Sequence, residues 1–138
     1  MNKEFLHNAL TLESDRPLIY TAMSKHYFYY RMFISKYVLE QGGVPLNPFM
    51  IFDYFLLDSI DRKLVVEGNN NLVKRADAIW VFGPVSDGVL AEIIIASARQ
   101  KEIRYFEILK PHEIVPVSVD NVTMEDDVKE YLHLLRKQ

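Results

Sequence analysis

Residues 76–98 read ADAIWVFGPVSDGVLAEIIIASA, a short apolar run followed by a turn and a second apolar segment. The first run, residues 78–82, is hydrophobic on both faces, which is typical of a central strand in a parallel sheet. A Gly-Pro pair ends it, and Ser86 is a favoured N-cap that predicts a helix through about Arg99. The segment therefore predicts strand, turn and helix.

The same order of elements continues on both sides of this segment. Further strands are predicted at residues 18–22, 44–46 and 103–106, with a short edge strand at 115–117. Further helices are predicted from Ser24 to Gly42, over 62–75 and over 124–137, with a short one within 49–57 that covers a pocket or a subunit contact. This alternation predicts an α/β fold, an open doubly wound parallel sheet of four to five strands in a flavodoxin-like or Rossmann-like three-layer sandwich. We interpret residues 1–17 as an N-terminal extension and 18–138 as one domain.

Composition narrows the classes of function. The 138 residues carry a net charge of -3, and their 16 basic residues are scattered, which argues against binding of polymeric nucleic acid. The absence of cysteine excludes disulfides, thiolate metal sites and cysteine nucleophiles. No apolar run is long enough to span a membrane and the N-terminus is unlike a secretory signal, so we expect a cytoplasmic protein without a membrane partner. No metal constellation or nucleotide-cofactor motif is present, and we expect no cofactor.

Glu92 is the residue that departs most clearly from its surroundings. It interrupts a helix that is otherwise small or apolar, and its neighbours at three and four positions include no basic residue. One interpretation places it at the solvent edge of the helix. In the other it faces the crevice beyond the carboxyl ends of the strands, where ligands bind in such sheets. There it could attack an anomeric carbon or stabilise an oxocarbenium-like centre.

Several other polar residues follow the predicted strands at the same edge. Tyr20 either fills the core or orients Glu92 through its phenol. Ser86 and Asp87 are ordinary caps, and together with Gly88 they also form a candidate anion site for a 5′-phosphate or a sugar hydroxyl. Further candidates for substrate binding, all in turns after strands, are Ser24, His26 and Asn47.

Four segments together resemble a known superfamily. They are Ile19-Tyr20-Thr21-Ala22, Gly43-Val44-Pro45-Leu46-Asn47-Pro48, residues 76–83 and residues 86–92. They resemble the nucleoside 2-deoxyribosyltransferase superfamily, which includes nucleoside 5′-monophosphate N-hydrolases and uncharacterised members, over about residues 18–108. The resemblance implies that Glu92 is the nucleophile and Tyr20 the residue that orients it. Ser86 matches the hydrolases, in which a serine contacts phosphate, and Ser24 is similarly placed.

The resemblance also implies an acid that protonates the leaving base, and at that position the sequence has Asn69. An amide cannot supply this proton, so either another acid serves, with Glu67 nearest in sequence, or activity is weak or altered. Two functions follow: an N-glycosidase, with hydrolysis preferred over transfer, or a nucleotide-binding or sensing module without catalysis. A structural interaction domain is a third alternative.

The resemblance implies a nucleoside or nucleotide ligand and a homodimer or higher homo-oligomer. In such an assembly Asp120 and Asn121 are candidates for polar contacts from a neighbouring subunit.

Overall fold

A computed structural model describes residues 3–52 and 54–137, which form a three-layer α/β sandwich around a five-stranded sheet. The strands are β1 (Leu18–Met23), β2 (Val44–Leu46), β3 (Ala78–Phe82), β4 (Glu102–Lys110) and β5 (Glu113–Val117), in the order β2-β1-β3-β4-β5. The first four strands are parallel, as predicted. The predicted fold class is confirmed.

The fifth strand departs from a wholly parallel sheet. β5 runs antiparallel to β4, and both strands are longer than the sequence predicted. Only Pro111 and His112 separate the two strands, and so short a connection joins antiparallel neighbours, because a parallel crossover needs a dozen residues or more. Pro116 is tolerated because β5 is an edge strand.

The described residues include four α-helices, α1 (Arg31–Glu40), α2 (Pro48–Ile51), α3 (Arg62–Arg75) and α4 (Asp87–Ala98). Further segments form 3₁₀ helices, at Asn8–Thr11, Lys25–Tyr30, Tyr54–Asp58, Val119–Asn121 and Asp126–Lys137. The predicted helix after Ser24 therefore begins as a 3₁₀ segment, and the predicted C-terminal helix is 3₁₀ throughout. The helix expected within 49–57 is divided between α2 and a 3₁₀ turn, with residue 53 outside the described residues.

Two apolar clusters hold helices on opposite faces of the sheet. On one face α1 packs against Trp80, Phe82 and Phe106 through buried residues such as Ile34. On the other face α3, α4 and the C-terminal 3₁₀ helix pack around a cluster that includes Tyr20, contributing buried residues such as Val73, Ile93 and Leu135. The change of face between α1 and α3 makes the carboxyl edge of β1 and β3 the switch point where such sheets bind ligands.

The register between β1 and β3 brings the residues after them together. Met23 is paired with Phe82, so Ser24 and Gly83 leave neighbouring strands at the same edge. At the opposite edge the Asp77 carboxylate accepts a hydrogen bond of 2.7 Å from the Leu18 backbone N–H, which fixes the start of β1. The carboxylate of Asp77 thus has a structural role.

Residues 3–17 are exposed and form no strand. Their interpretation as an extension separate from the domain stays a prediction. None of the helices in the described part of the chain combines the length and hydrophobicity that a membrane-spanning helix requires.

Candidate active site

Tyr20 and Glu92 meet across the sheet–helix boundary. Tyr20 points from β1 toward the face covered by α3 and α4, where its side chain is fully buried. Its hydroxyl donates a hydrogen bond to Oε2 of Glu92, which lies in the second turn of α4. Residues 72 positions apart in the sequence are therefore in direct contact, between the middle of β1 and the second turn of α4.

The protonation states of this pair follow from burial. Desolvation raises the pKa of Glu92 from its ordinary 4.5 to about 7, although the Tyr20 hydrogen bond works in the opposite direction. Burial, and then the charge of Glu92, raise the pKa of Tyr20 well above its ordinary value of 10. Tyr20 thus stays protonated as a donor, while Glu92 changes between acid and carboxylate near neutral pH. Such a carboxyl group can serve as a nucleophile or a proton carrier.

Two buried serines begin helices at the same edge of the sheet. Ser86 caps α4, and its Oγ accepts from the Val89 N–H at 3.3 Å. Ser24 caps the 3₁₀ segment after β1, and its Oγ accepts from the His26 N–H at 3.4 Å. Both hydroxyl groups act as acceptors in these caps, so each serine can still donate its hydroxyl proton to a ligand oxygen.

The neighbours of these serines are more exposed. His26, Asp87 and Gly88 lie at the surface, and the Asp87 carboxylate accepts from the Gly88 N–H at 2.7 Å. Asp87 thus bonds a backbone N–H in the first turn of α4, where the helix dipole favours a negative charge. These placements agree with the predicted caps, and a role in ligand binding stays a prediction.

Asn47 is buried and its carboxamide already has partners. Its Oδ1 accepts from the Phe49 N–H at 3.1 Å, and its Nδ2 donates to the Arg31 carbonyl and to Ser35 Oγ, each at 3.2 Å. Asn47 therefore caps α2 and ties it to α1. Any contact with substrate would have to compete with these three bonds.

Asn69 lies in the middle of α3, on the face that also carries buried Val65 and Val73. Its Oδ1 is buried and has no hydrogen-bond partner among the described residues. Glu67, the alternative acid, is exposed, so its carboxylate is placed toward solvent. The structure thus brings Asn69, and not Glu67, to the inward side of α3.

Comparisons with known proteins place this region within a family. The model of the family described as "Domain of unknown function (DUF7768)" matches residues 20–106. The chain belongs to this family. The match begins at Tyr20 and includes both Asn69 and Glu92. A search of curated proteins found no match.

The DUF7768 chain is also similar to a solved structure, that of the Clostridium botulinum CMP N-glycosidase BcmB. The two are 22% identical, with a TM-score of 0.43, and the similarity covers 88% of this chain and 99% of that chain.

Two clefts of the DUF7768 chain lie toward β4 and β5, and neither is lined by Tyr20 or Glu92. One of about 420 Å³ includes Trp80 and Arg104, and the other, of about 120 Å³, lies at the carboxyl ends of β3 and β4. The smaller cleft is lined in part by Tyr27, Gly83, Glu107 and Asn121. The Tyr27 ring packs on Gly83, whose positive φ of 76° requires a glycine.

The sequence analysis did not identify Tyr27 and Glu107 as residues that line a cleft. Two features of the sequence pointed to this cleft: the segment that contains Tyr27 follows β1, and a Gly-Pro pair follows β3.

Gly88 lies next to Glu92 on α4 and has open space around it. It lies four residues before Glu92 on the same face of α4, and a Cβ atom there would meet no atom within 4 Å. We expect Gly88→Ala to stabilise the fold by about 0.5–1 kcal/mol, because alanine favours the helix. We expect Gly88→Leu to fold as well but to raise the KM for the reaction proposed below at least about tenfold, a loss of roughly 1.4 kcal/mol, because its side chain occupies the open space next to Glu92. Urea unfolding and steady-state kinetics measure both effects, and equal KM values for the two variants would contradict this placement.

Proposed function

We propose that this chain cleaves the N-glycosidic bond of a nucleoside or nucleoside 5′-monophosphate, with Glu92 as the nucleophile. The observation that carries the proposal is the contact between Tyr20 of β1 and Glu92 of α4, the helix that follows β3. A protonated phenol holds one carboxylate oxygen, which leaves the other oxygen available to attack. The resemblance of the surrounding motifs to the nucleoside 2-deoxyribosyltransferase superfamily supports the same roles.

The reaction has two steps, which use protein groups and water. Glu92 attacks the anomeric carbon C1′, the C1′–N bond breaks, and its electron pair leaves with the base nitrogen. Water then hydrolyses the glycosyl ester, which restores the carboxylate and releases one proton, and this proton balances the one that a base leaving as an anion takes up. Attack by a second base in place of water would give transfer, and we favour hydrolysis because Ser86 matches the hydrolases of the superfamily.

The start of α4 provides the proposed site for a 5′-phosphate. Ser24 and Ser86 lie at the carboxyl ends of neighbouring strands, and their hydroxyl protons are free of the capping bonds. The N–H groups in the first turn of α4 add a favourable dipole for an anion. This arrangement supports nucleoside 5′-monophosphates as substrates, with Asp87, Gly88 and His26 at the border of the site.

A nucleotide-binding or sensing module is the second candidate. It is favoured by Asn69, which occupies the position where the resemblance implies a proton donor. Such a module would bind nucleotides at the same edge of the sheet and release no base.

A panel of nucleosides and their 5′-monophosphates separates the two candidates. We expect free base, measured by chromatography, from the wild-type protein and from Glu130→Ala, which removes an exposed carboxylate, but not from Glu92→Ala. Thermal shift with the same ligands reports binding. Binding without release of base from any of them would establish the sensing module and reject the enzyme.

A further inference from the structure

Asn69 presents a buried acceptor that a ligand can satisfy. α3 packs against α4, and Val73, one turn after Asn69, belongs to the same core cluster as Tyr20. Because α3 runs from the carboxyl edge of the sheet toward the amino edge, Asn69 lies one turn nearer to the ligand edge than Val73. A buried carbonyl oxygen without a partner costs about 1–3 kcal/mol, so an N–H donor on a ligand would be favourable at Oδ1.

Among the described side chains, those of residues 3–52 and 56–135, Glu92 has no cationic partner. The ion pairs found there, Lys36–Glu40, Arg104–Glu102 and Lys129–Asp126, lie elsewhere and are largely exposed. In the described part of the chain the side chain bonded to this carboxylate is that of Tyr20, which is neutral. A partly buried carboxylate without a counter-charge favours a ligand that brings a positive charge.

The inward side of these elements also lacks an acid that could protonate a departing base. The other acids of α3 and α4 are Glu67 and Asp87, and both are exposed. The hydroxyl proton of Tyr20 is bonded to Glu92, and a carboxamide such as that of Asn69 does not give up a proton. The described side chains of α3 and α4 are therefore complementary to a base that can leave without a proton.

We infer, building on the function proposed above, that the substrate is an N-glycoside of a cationic base, such as a pyridinium nucleotide, with Asn69 accepting a hydrogen bond from an N–H group of that base. When Glu92 attacks C1′, the electron pair of the C1′–N bond neutralises the ring nitrogen, and a neutral base leaves. No proton is needed in this step, and water then hydrolyses the ester. A neutral base, in contrast, would leave as an anion unless an acid protonated it, a contribution of about 10²–10⁴ in rate.

The test compares nicotinamide mononucleotide, a pyridinium cation with a carboxamide N–H, with cytidine 5′-monophosphate, whose base is neutral at pH 8. Both are assayed with the full chain, and each kcat/KM is divided by the uncatalysed rate, because the cationic substrate is intrinsically more labile. We expect a rate enhancement at least about 100-fold greater for nicotinamide mononucleotide. We expect Asn69→Asp to raise kcat/KM for cytidine 5′-monophosphate by about tenfold or more, while the neighbouring variant Asn70→Asp leaves it unchanged.

The outcomes distinguish this inference from the proposed function. An equal or greater enhancement for cytidine 5′-monophosphate overturns the cationic substrate class and leaves the glycosidase in place. The cationic substrate class is also overturned if Asn69→Asp changes kcat/KM by the same factor for both substrates. If neither compound nor any nucleoside of the panel releases base, the glycosidase itself fails. Should Asn69→Asp not fold, the comparison of the two substrates with wild-type protein decides alone.

Discussion

Replacing Glu92 with glutamine is expected to stabilise the fold at pH 8 while base release falls by about 10³-fold or more. The pKa of Glu92 is about 7 in the folded chain and 4.5 as its ordinary value, so folding favours the protonated form. The resulting penalty is absent below pH 4.5, grows as the pH rises to about 7 and is constant above it. A tenfold change in proton affinity corresponds to about 1.4 kcal/mol. Because the Glu92 side chain is partly exposed, we expect the penalty to the free energy of unfolding to be roughly 1–3 kcal/mol.

Urea unfolding of wild type and Glu92→Gln at pH 4.5, 6 and 8 measures this effect. Glutamine keeps an acceptor for the Tyr20 hydroxyl and cannot ionise, so the difference in free energy of unfolding should rise between pH 4.5 and 7. The control is Glu130→Gln, since that carboxylate is exposed and its replacement should give no comparable pH dependence. A constant difference across the three pH values would show that Glu92 does not carry the penalty.

The sequence predicted the parallel part of the fold because each strand there is a short apolar run between clear stop signals. Residues 78–82 and the Ser86 cap are examples, and the structure has a strand and a helix start at those positions. The direction of β5 was not predicted, because it depends on a two-residue connection that no apolar pattern reveals. The C-terminal segment has a helical pattern, but hydrophobic spacing does not distinguish an α-helix from the 3₁₀ helix found there.

The candidate site was predictable only where topology alone fixes position. The rule for open sheets places Tyr20 and Glu92 at one edge, and the structure brings them into contact. The bonds of Asn47 were not predictable, because its partners Arg31 and Ser35 lie on a different helix and cap preferences name only the local bond to Phe49. The Asn69 oxygen, which has no partner among the described residues, is buried by the way α3 packs in the fold, and no single segment of sequence records that packing.

Tyr20→Phe is expected to lower kcat at pH 7 at least about tenfold and to move the acid limb of the pH–rate profile to higher pH. The Tyr20 hydrogen bond lowers the pKa of Glu92, so its loss raises that pKa above about 7 and leaves less carboxylate at neutral pH. A hydrogen bond to a charged group contributes about 1.5–3 kcal/mol, which sets the size of the loss. Profiles of kcat and kcat/KM between pH 5 and 10 measure both changes.

The shape of that profile separates an electronic role of the phenol from a merely structural one. If Tyr20 acts by keeping Glu92 ionised, the deficit of Tyr20→Phe must shrink as the pH rises, because alkali restores the carboxylate without the hydroxyl. The matched control is Tyr37→Phe, whose ring packs against Trp80, Phe82 and Phe106 on the opposite face of the sheet and which should leave the profile unmoved. A deficit that is the same at every pH would mean that the hydroxyl only positions Glu92 and does not control its charge.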